Sequence, residues 1–150
     1  MKMIRLSTLA ISLSLSLAVV GEVFAQEKPS ASGGGVRIEK TILCRKVEHI
    51  FEPAKSLKPN DTFALVVYSS EAKVGTRVRA VWTLVHAGRL ENMKLLENKT
   101  ELTEDAIKGV KEPNRFNFGL EHDTPYPPGD YKIEIYLNDE LAKSVAFQVK

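Results

Sequence analysis

Apolar residues recur at every second position through most of the chain, beginning near residue 36. The alternation is clearest in Arg77–Val85 and in Asp130–Leu137, where every second residue is apolar. This two-residue period is typical of β-strands that bury one face, because successive side chains point to opposite sides of a strand. The same period predicts further strands around Ile42 and Cys44 and in three other segments, Thr62–Tyr68, Arg115–Leu120 and Leu141–Val149.

Breaks in the alternation predict the connections between these strands. A phase change before Val47 indicates a β-bulge, and the prolines of Phe51–Asp61 predict a loop. Leu90–Val110 is less regular and leaves two structures open, a strand that includes Met93 and Leu95 or a short helical turn capped by Thr103. The pair Asn138–Asp139 favours a tight hairpin, because both residue types tolerate a positive φ.

About seven short strands without intervening long helices predict an all-β protein, an immunoglobulin-like antiparallel β-sandwich. Three segments carry a closer resemblance: Gly75–Trp82 (GTRVRAVW), Pro128–Leu137 (PGDYKIEIYL) and Phe147–Val149 (FQV). Together they resemble an immunoglobulin-like module of bacterial exported and membrane-attached proteins that has no assigned activity. The resemblance covers roughly residues 36–150. Trp82 and Tyr131 lie where immunoglobulin-like folds carry a buried tryptophan and a tyrosine whose hydroxyl bonds back to the main chain, so the resemblance to this fold implies these structural roles.

The first 25 residues have the pattern of a secretory signal peptide. Lys2 and Arg5 precede the apolar run Leu6–Val20, and Val23-Phe24-Ala25 supplies a cleavage site. A retained membrane anchor is the alternative, although the run is shorter than the roughly 20 residues that a spanning helix needs. Residues 26–35 are small, polar and glycine-rich, which predicts a flexible tether before a domain of residues 36–150. We therefore expect an exported protein, periplasmic or secreted, without a stable membrane span after cleavage.

Charge and cysteine content narrow the classes of partner. Cleavage after Ala25 leaves 19 basic and 18 acidic residues, so nothing favours nucleic acid or an anionic membrane as a partner. Cys44 is the only cysteine of the chain, which excludes an intrachain disulfide. In an oxidising compartment a lone thiol is safest when it is buried, so we expect a structural Cys44. A metal ligand or an intermolecular disulfide is the alternative.

No motif for catalysis or for a cofactor is present in the sequence. The possible metal ligands lack the spacing of zinc motifs, since they are scattered along the chain as Cys44, His49, His86 and His122. Met93 is the only methionine after export, which disfavours a methionine-rich copper site. The acidic groups Glu101/Glu104/Asp105 and Asn138/Asp139/Glu140 do not match a calcium loop. The sequence also lacks a GxSxG elbow. We therefore expect no catalytic residue, no metal site, no cofactor and no enzymatic activity.

Three side chains are candidates for binding. Arg77 and Arg79 share the predicted outward face of one strand and could meet an acidic partner, although a solvated sheet face with facing glutamates is the favoured explanation. Tyr126 lies among prolines, where it could anchor a ligand or pack over an open end of the sandwich. The favoured function is a non-catalytic extracytoplasmic module that contacts an envelope or extracellular protein. The alternatives are a small-ligand or glycan binder that uses the loops near Tyr126 and Ala87-Gly88, and a hydrolase or metalloprotein with a spatially assembled site.

Overall fold

The structure, a computed structural model, describes residues 35–150. The predicted signal peptide (residues 1–25) and the predicted tether up to residue 34 lie outside this range. Nine strands and one short helix follow each other in chain order: β1 (Ile38–Val47), β2 (Ile50–Pro53), β3 (Ser56–Leu57), β4 (Thr62–Ser69), β5 (Arg77–Ala87), β6 (Leu90–Glu101), α1 (Glu104–Ile107), β7 (Arg115–Leu120), β8 (Gly129–Leu137) and β9 (Glu140–Val149).

The strands form two sheets that pack face to face. The four-stranded sheet has the order β2-β1-β4-β7, and the five-stranded sheet has the order β3-β9-β8-β5-β6. All neighbouring strands are antiparallel except β3 and β9, which pair in parallel. The prediction of an all-β antiparallel sandwich is therefore confirmed.

The core lies between the sheets and is built from the alternating apolar residues. Trp82 of β5 is 1% exposed, and its indole Nε1 donates a hydrogen bond to Asn98 Oδ1 of β6 at 2.9 Å. Its ring meets Phe147 of β9 edge to face, with ring centroids 6.3 Å apart. A buried indole with a satisfied N–H both fills the core and fixes the pairing of β5 with β6.

The predicted loop Phe51–Asp61 is wrong in its first half, because β2 and β3 lie within or next to it. β2 folds back on β1 through a two-residue turn, with Val47 opposite Ile50 and a positive φ of 54° at Glu48. β3 is only two residues long and pairs with the distant end of β9. These two short strands raise the predicted seven to nine.

The bulge predicted before Val47 is also wrong. The register of β1 against β4 is continuous from Lys40 to Lys46, and its one irregularity lies earlier, between Ile38 and Lys40. Arg45 lies directly opposite the buried Phe63, so it faces inward, but its guanidinium binds Glu52 at the border of the sheet. The apolar alternation of β1 stops at Arg45 because the sandwich opens to solvent there. The regular strand geometry continues beyond it.

Leu90–Val110 contains both of the structures that the sequence left open. β6 runs to Glu101, and Thr103 then caps α1 by accepting a hydrogen bond from the N–H of Ala106 at 3.1 Å. β6 has an irregularity opposite Trp82 and Thr83, which is why its apolar residues lose the strict alternation.

Candidate functional site

Arg77, a predicted binding residue, is engaged within the chain. Its Nη2 lies 2.7 Å from Asp139 Oδ2, and its backbone N–H donates to Asn138 Oδ1 at 3.0 Å. Asn138 and Asp139 have φ values of 50° and 72°, so they form the tight hairpin between β8 and β9 that the sequence predicted. Arg77 therefore ties the start of β5 to this hairpin.

Arg79, the second predicted binding residue, belongs to a charge network on the outer face of the five-stranded sheet. Its guanidinium carbon lies 3.9 Å from the ring centroid of Tyr136, and its Nη1 lies 3.8 Å from Glu97 Oε2. Lys94 and Lys99 also bind Glu97, and their hydrogen bonds lower the pKa of this carboxyl to about 2. Glu97 is thus the facing acid that the sequence indicated for this strand, and a binding role for Arg77 and Arg79 remains a prediction.

Tyr126, the third predicted binding residue, is half-buried at one end of the sandwich. Its ring centroid lies 4.8 Å from that of Phe63 and 4.3 Å from that of His122. Next to it, the hydroxyl of Tyr131 donates a 2.6 Å hydrogen bond to Pro127 O, which is the corner that the resemblance implied. Burial raises the pKa of Tyr131 to about 12 and also raises the pKa of Tyr126. We call this end of the molecule the tyrosine end.

A glycan site near Tyr126 would need further exposed aromatic rings beside it. Tyr68 lies on the outer face of the four-stranded sheet, with Arg115 6.0 Å from its ring centroid, and Tyr136 lies under Arg79 on the other outer face. The structure therefore brings Tyr126 together with Phe63 and Tyr131 and separates it from Tyr68 and Tyr136.

The histidines are spread over the molecule. His49 is exposed at the β1–β2 turn, and His86 lies 3.6 Å from Glu91 at the end of β5. His122 Nε2 lies 3.0 Å from the carbonyl of Asp61. Within residues 35–150 no three His, Cys, Asp or Glu side chains come close enough to hold a metal ion.

Cys44 is buried, but on the outer face of the four-stranded sheet and outside the main core. Its thiol donates to Ile42 O at 3.5 Å, and it packs with Ala64 and Val66 of β4. The half-buried rings of Phe51 and Tyr68 cover this small cluster. Burial raises the pKa of the Cys44 thiol, against the opposing effect of nearby Arg115.

The two sheets differ in strand number, and this leaves one side of the sandwich uncovered. β6 and β7 are the edge strands on that side and contact each other. Met93 and Leu96 of β6 lie opposite the core residues Leu84 and Trp82, so they belong to the inward face of their strand. Met93 is nevertheless 42% exposed, because no strand of the described range 35–150 lies beyond β7 to cover it. We call the inward row Met93/Leu96 together with the outer edge of β7 the open flank.

Among the edge strands of the described chain, β7 has the fewest features that prevent pairing with another strand. β2 has four residues and ends at Pro53, β3 has two residues, and β6 carries alternating lysines and glutamates. The six residues of β7 include a single charged side chain, Arg115. Charges, prolines and short length are the devices that keep sheet edges from pairing, so β7 is the edge most open to another strand.

Sequence reasoning missed the open flank. The sequence placed Met93 in a possible strand and disfavoured it as a copper ligand, and the apolar pattern of β7 indicated only burial of Phe116, Phe118 and Leu120. The low charge of β7 compared with β6 is the sequence feature that points to the flank. It indicates an open edge only once the strand order shows that β7 is an edge strand.

A helix of sufficient length and apolarity to span a membrane does not occur among residues 35–150. No protein-family model and no curated protein matches the chain. Among solved structures, the chain is similar to an immunoglobulin-like protein, PA1606 from Pseudomonas aeruginosa, with a TM-score of 0.53 and 13% identity over 77% of this chain and 97% of that one. At this identity the similarity shows the fold alone, so the sandwich is immunoglobulin-like.

A second similar structure is the alkylpurine DNA glycosylase AlkC from Pseudomonas fluorescens, bound to DNA with an abasic site analogue. It shares 14% identity over 77% of this chain but only 30% of its own, with a TM-score of 0.41. A similarity this distant carries no argument about the present chain.

Proposed function

We propose that this immunoglobulin-like domain is a non-catalytic interaction module that works outside the cytoplasm and contacts an envelope or extracellular protein through its open flank. The observation that carries the proposal is the uncovered inward face of β6, where a core-type residue, Met93, is 42% exposed beside an unprotected edge strand. Apolar side chains and a free edge in one place are typical of protein-binding surfaces.

The side chains outside the open flank that could carry chemistry are not arranged for catalysis, which supports a binding role. Arg77, Arg79 and Tyr126 each have partners within the chain, and Cys44 is sealed in its own cluster. A catalytic site needs a nucleophile and a base within hydrogen-bonding reach, with a third group orienting the base. The described histidines instead contact a backbone carbonyl, an exposed glutamate or solvent.

The export part of the proposal rests on the signal-peptide pattern of residues 1–25. Cleavage after Ala25 would give a mature chain that begins at Gln26. Intact-mass measurement of the protein from the periplasm or the culture medium tests this start. A cytoplasmic protein that retains Met1 would contradict it.

Site-specific photocrosslinking in the native host tests the partner surface. A photoreactive amino acid at Met93 should give a covalent adduct with one defined envelope or extracellular protein. The matched control is Leu141 of β9, which is 51% exposed but lies on the far side of the five-stranded sheet and should give no such adduct. Equal adducts from both positions, or none from Met93, would contradict the proposal.

A further inference from the structure

Resting on the proposed function, we infer that the open flank binds an extended peptide segment of the partner as an added β-strand, antiparallel or parallel to β7. The segment would carry apolar residues at alternate positions and a basic residue at one end. Three features of the flank support this occupant: free backbone groups along β7, the uncovered apolar row of β6, and an acidic cavity where the two strands meet.

The backbone groups of β7 follow from its register with β4. Ser69 N–H donates to Asn114 O at 2.9 Å, which marks this antiparallel pair as a hydrogen-bonded one. Because such pairs alternate, Asn117 and Gly119 point their N–H and C=O groups away from β4. Arg115 fits this alternation, since its outward N–H binds Glu112 O at 3.1 Å.

Asn117 and Gly119 thus present two donors and two acceptors at the edge of the sheet. No residue of the described range 35–150 bonds to these backbone N–H groups. An added strand would pair with them, which is how extended peptides join exposed sheet edges. Asn117 is exposed, so the edge is accessible.

The apolar row of β6 favours apolar side chains at the inward positions of the added strand. A fifth strand next to β7 would bring the four-stranded sheet to the width of its partner sheet and would lie over Met93 and Leu96. Side chains of a strand alternate between faces, so every second residue of the segment would pack inward on this row. Apolar residues at those positions would remove Met93 from water.

A cavity of about 200 Å³ lies where the C-terminal end of β6 approaches the start of β7. Its lining residues include apolar Leu102 and Val110, acidic Glu101 and Glu112, and basic Arg115. Glu112 binds Arg115 Nη1 at 3.1 Å, whereas Glu101 has no ion pair within the described residues. A lysine or arginine at the end of the added strand would complement Glu101, since its aliphatic stem suits the apolar wall and its charge suits the carboxylate.

The test uses the mature protein and a synthetic nine-residue peptide that alternates valine with threonine and carries one terminal lysine. Fluorescence anisotropy measures its dissociation constant, and hydrogen exchange followed by nuclear magnetic resonance measures protection of single amides. The inference predicts slower exchange at Asn117 and Gly119 when the peptide is bound. Binding that protects neither amide would overturn it, as would an absence of binding at millimolar peptide.

Two substitutions at one position separate backbone pairing from side-chain contact. Asn117→Pro removes an outward N–H that β4 does not use, and should weaken peptide binding about tenfold or more. Asn117→Ala keeps the N–H and should stay within about twofold of the parent. Equal effects of both substitutions would contradict strand addition.

If Asn117→Pro disturbs folding, substitutions of exposed side chains still test the inference. Met93→Lys should weaken binding of the peptide, whereas Leu141→Lys, an equally exposed change on the far side, should not. Glu101→Gln should weaken binding of the lysine peptide. It should leave unchanged the binding of a peptide that has glutamine in place of the terminal lysine.

The outcomes separate this inference from the proposed function. A Met93 crosslink to an envelope protein that persists unchanged in Asn117→Pro would overturn strand addition and leave the interaction module intact. A concentration-dependent dimer in sedimentation that is lost in Asn117→Pro would assign the edge to a second copy of the chain, and would likewise overturn the inference.

Discussion

Several residues of this domain combine a packing role with one hydrogen bond that fixes their orientation. Trp82 fills the core and donates its indole N–H to Asn98, and Tyr131 stacks on Phe147 while its hydroxyl reaches Pro127 O. A buried polar atom with a partner favours one arrangement of its neighbours, because any other arrangement leaves that atom unpaired. Trp82 and Tyr131 therefore fix the pairing of β5 with β6 and the bend before β8, as well as filling the core.

Trp82→Ala should lower the free energy of unfolding by about 3–5 kcal/mol, because it empties a large buried volume. It also leaves the Asn98 amide without its donor. Urea denaturation followed by far-ultraviolet circular dichroism measures the change. Trp82→Phe is the control, since it retains most of the apolar contact and loses mainly the hydrogen bond. A loss below about 1 kcal/mol for the alanine variant would contradict the burial of the indole.

At the scale of elements, the strands that could be predicted are those with one face packed in the core. β4, β5, β8 and β9 have apolar residues at their inward positions along most of their length, because these positions face the other sheet. β2 and β3 could not be predicted from pattern, since β2 depends on a turn at Glu48 without a glycine, and β3 depends on pairing with residues some 90 positions away. Local sequence does not encode such partners.

In the candidate site too, features that follow from local pattern could be predicted and features that depend on distant strands could not. Burial of Trp82 and the Tyr131 corner could be predicted, because each follows from a strand pattern combined with the resemblance. The partners of Arg79 could not, since Glu97 and Tyr136 come from two other strands. The open flank was also beyond prediction, because it depends on how many strands each sheet contains.

Gly129 at the start of β8 offers a test of how closely the elements pack. A Cβ at this position would lie 2.3 Å from His86 O and 2.8 Å from Ala87 Cβ. Gly129→Ala should therefore push β8 from β5 and destabilise the fold by about 1–3 kcal/mol. Gly119→Ala is the matched control, because its Cβ would meet nothing closer than Phe63 O at 3.9 Å. Thermal unfolding of the two variants compares them, and equal melting temperatures would contradict the close approach of β8 to β5.

At the scale of the whole molecule, the two outer faces of the sandwich differ in chemistry. The five-stranded sheet carries the ionic network around Glu97, whereas the four-stranded sheet carries the small apolar cluster around Cys44. The charged face depends on the ionisation of Glu97, and the tyrosine end depends on a neutral Tyr131. Stability should therefore respond to pH at both extremes.

Glu97 has a lowered pKa of about 2, so the stability it contributes is present above its usual pKa of 4.5 and is lost as the pH falls from 4.5 to 2. Tyr131 has a raised pKa of about 12, so its contribution is present below pH 10 and is lost as the pH rises from 10 to 12. Melting temperatures measured from pH 2 to pH 12 should show a plateau with a decline on each side. Glu97→Gln should flatten the acidic decline and Tyr131→Phe the alkaline one, and unchanged declines in these variants would contradict the assignment.

The chain enters the sandwich where Arg37 and Ser70 exchange hydrogen bonds, at the end away from Tyr131. Met93 lies opposite Leu84, which pairs with Tyr131, so the apolar part of the open flank sits toward the other pole of the molecule. The start of the described range and the apolar part of the open flank thus lie at opposite ends of the domain, whereas the cavity beside Glu101 lies near the start. A strand added along β7 would therefore span the domain from one end to the other.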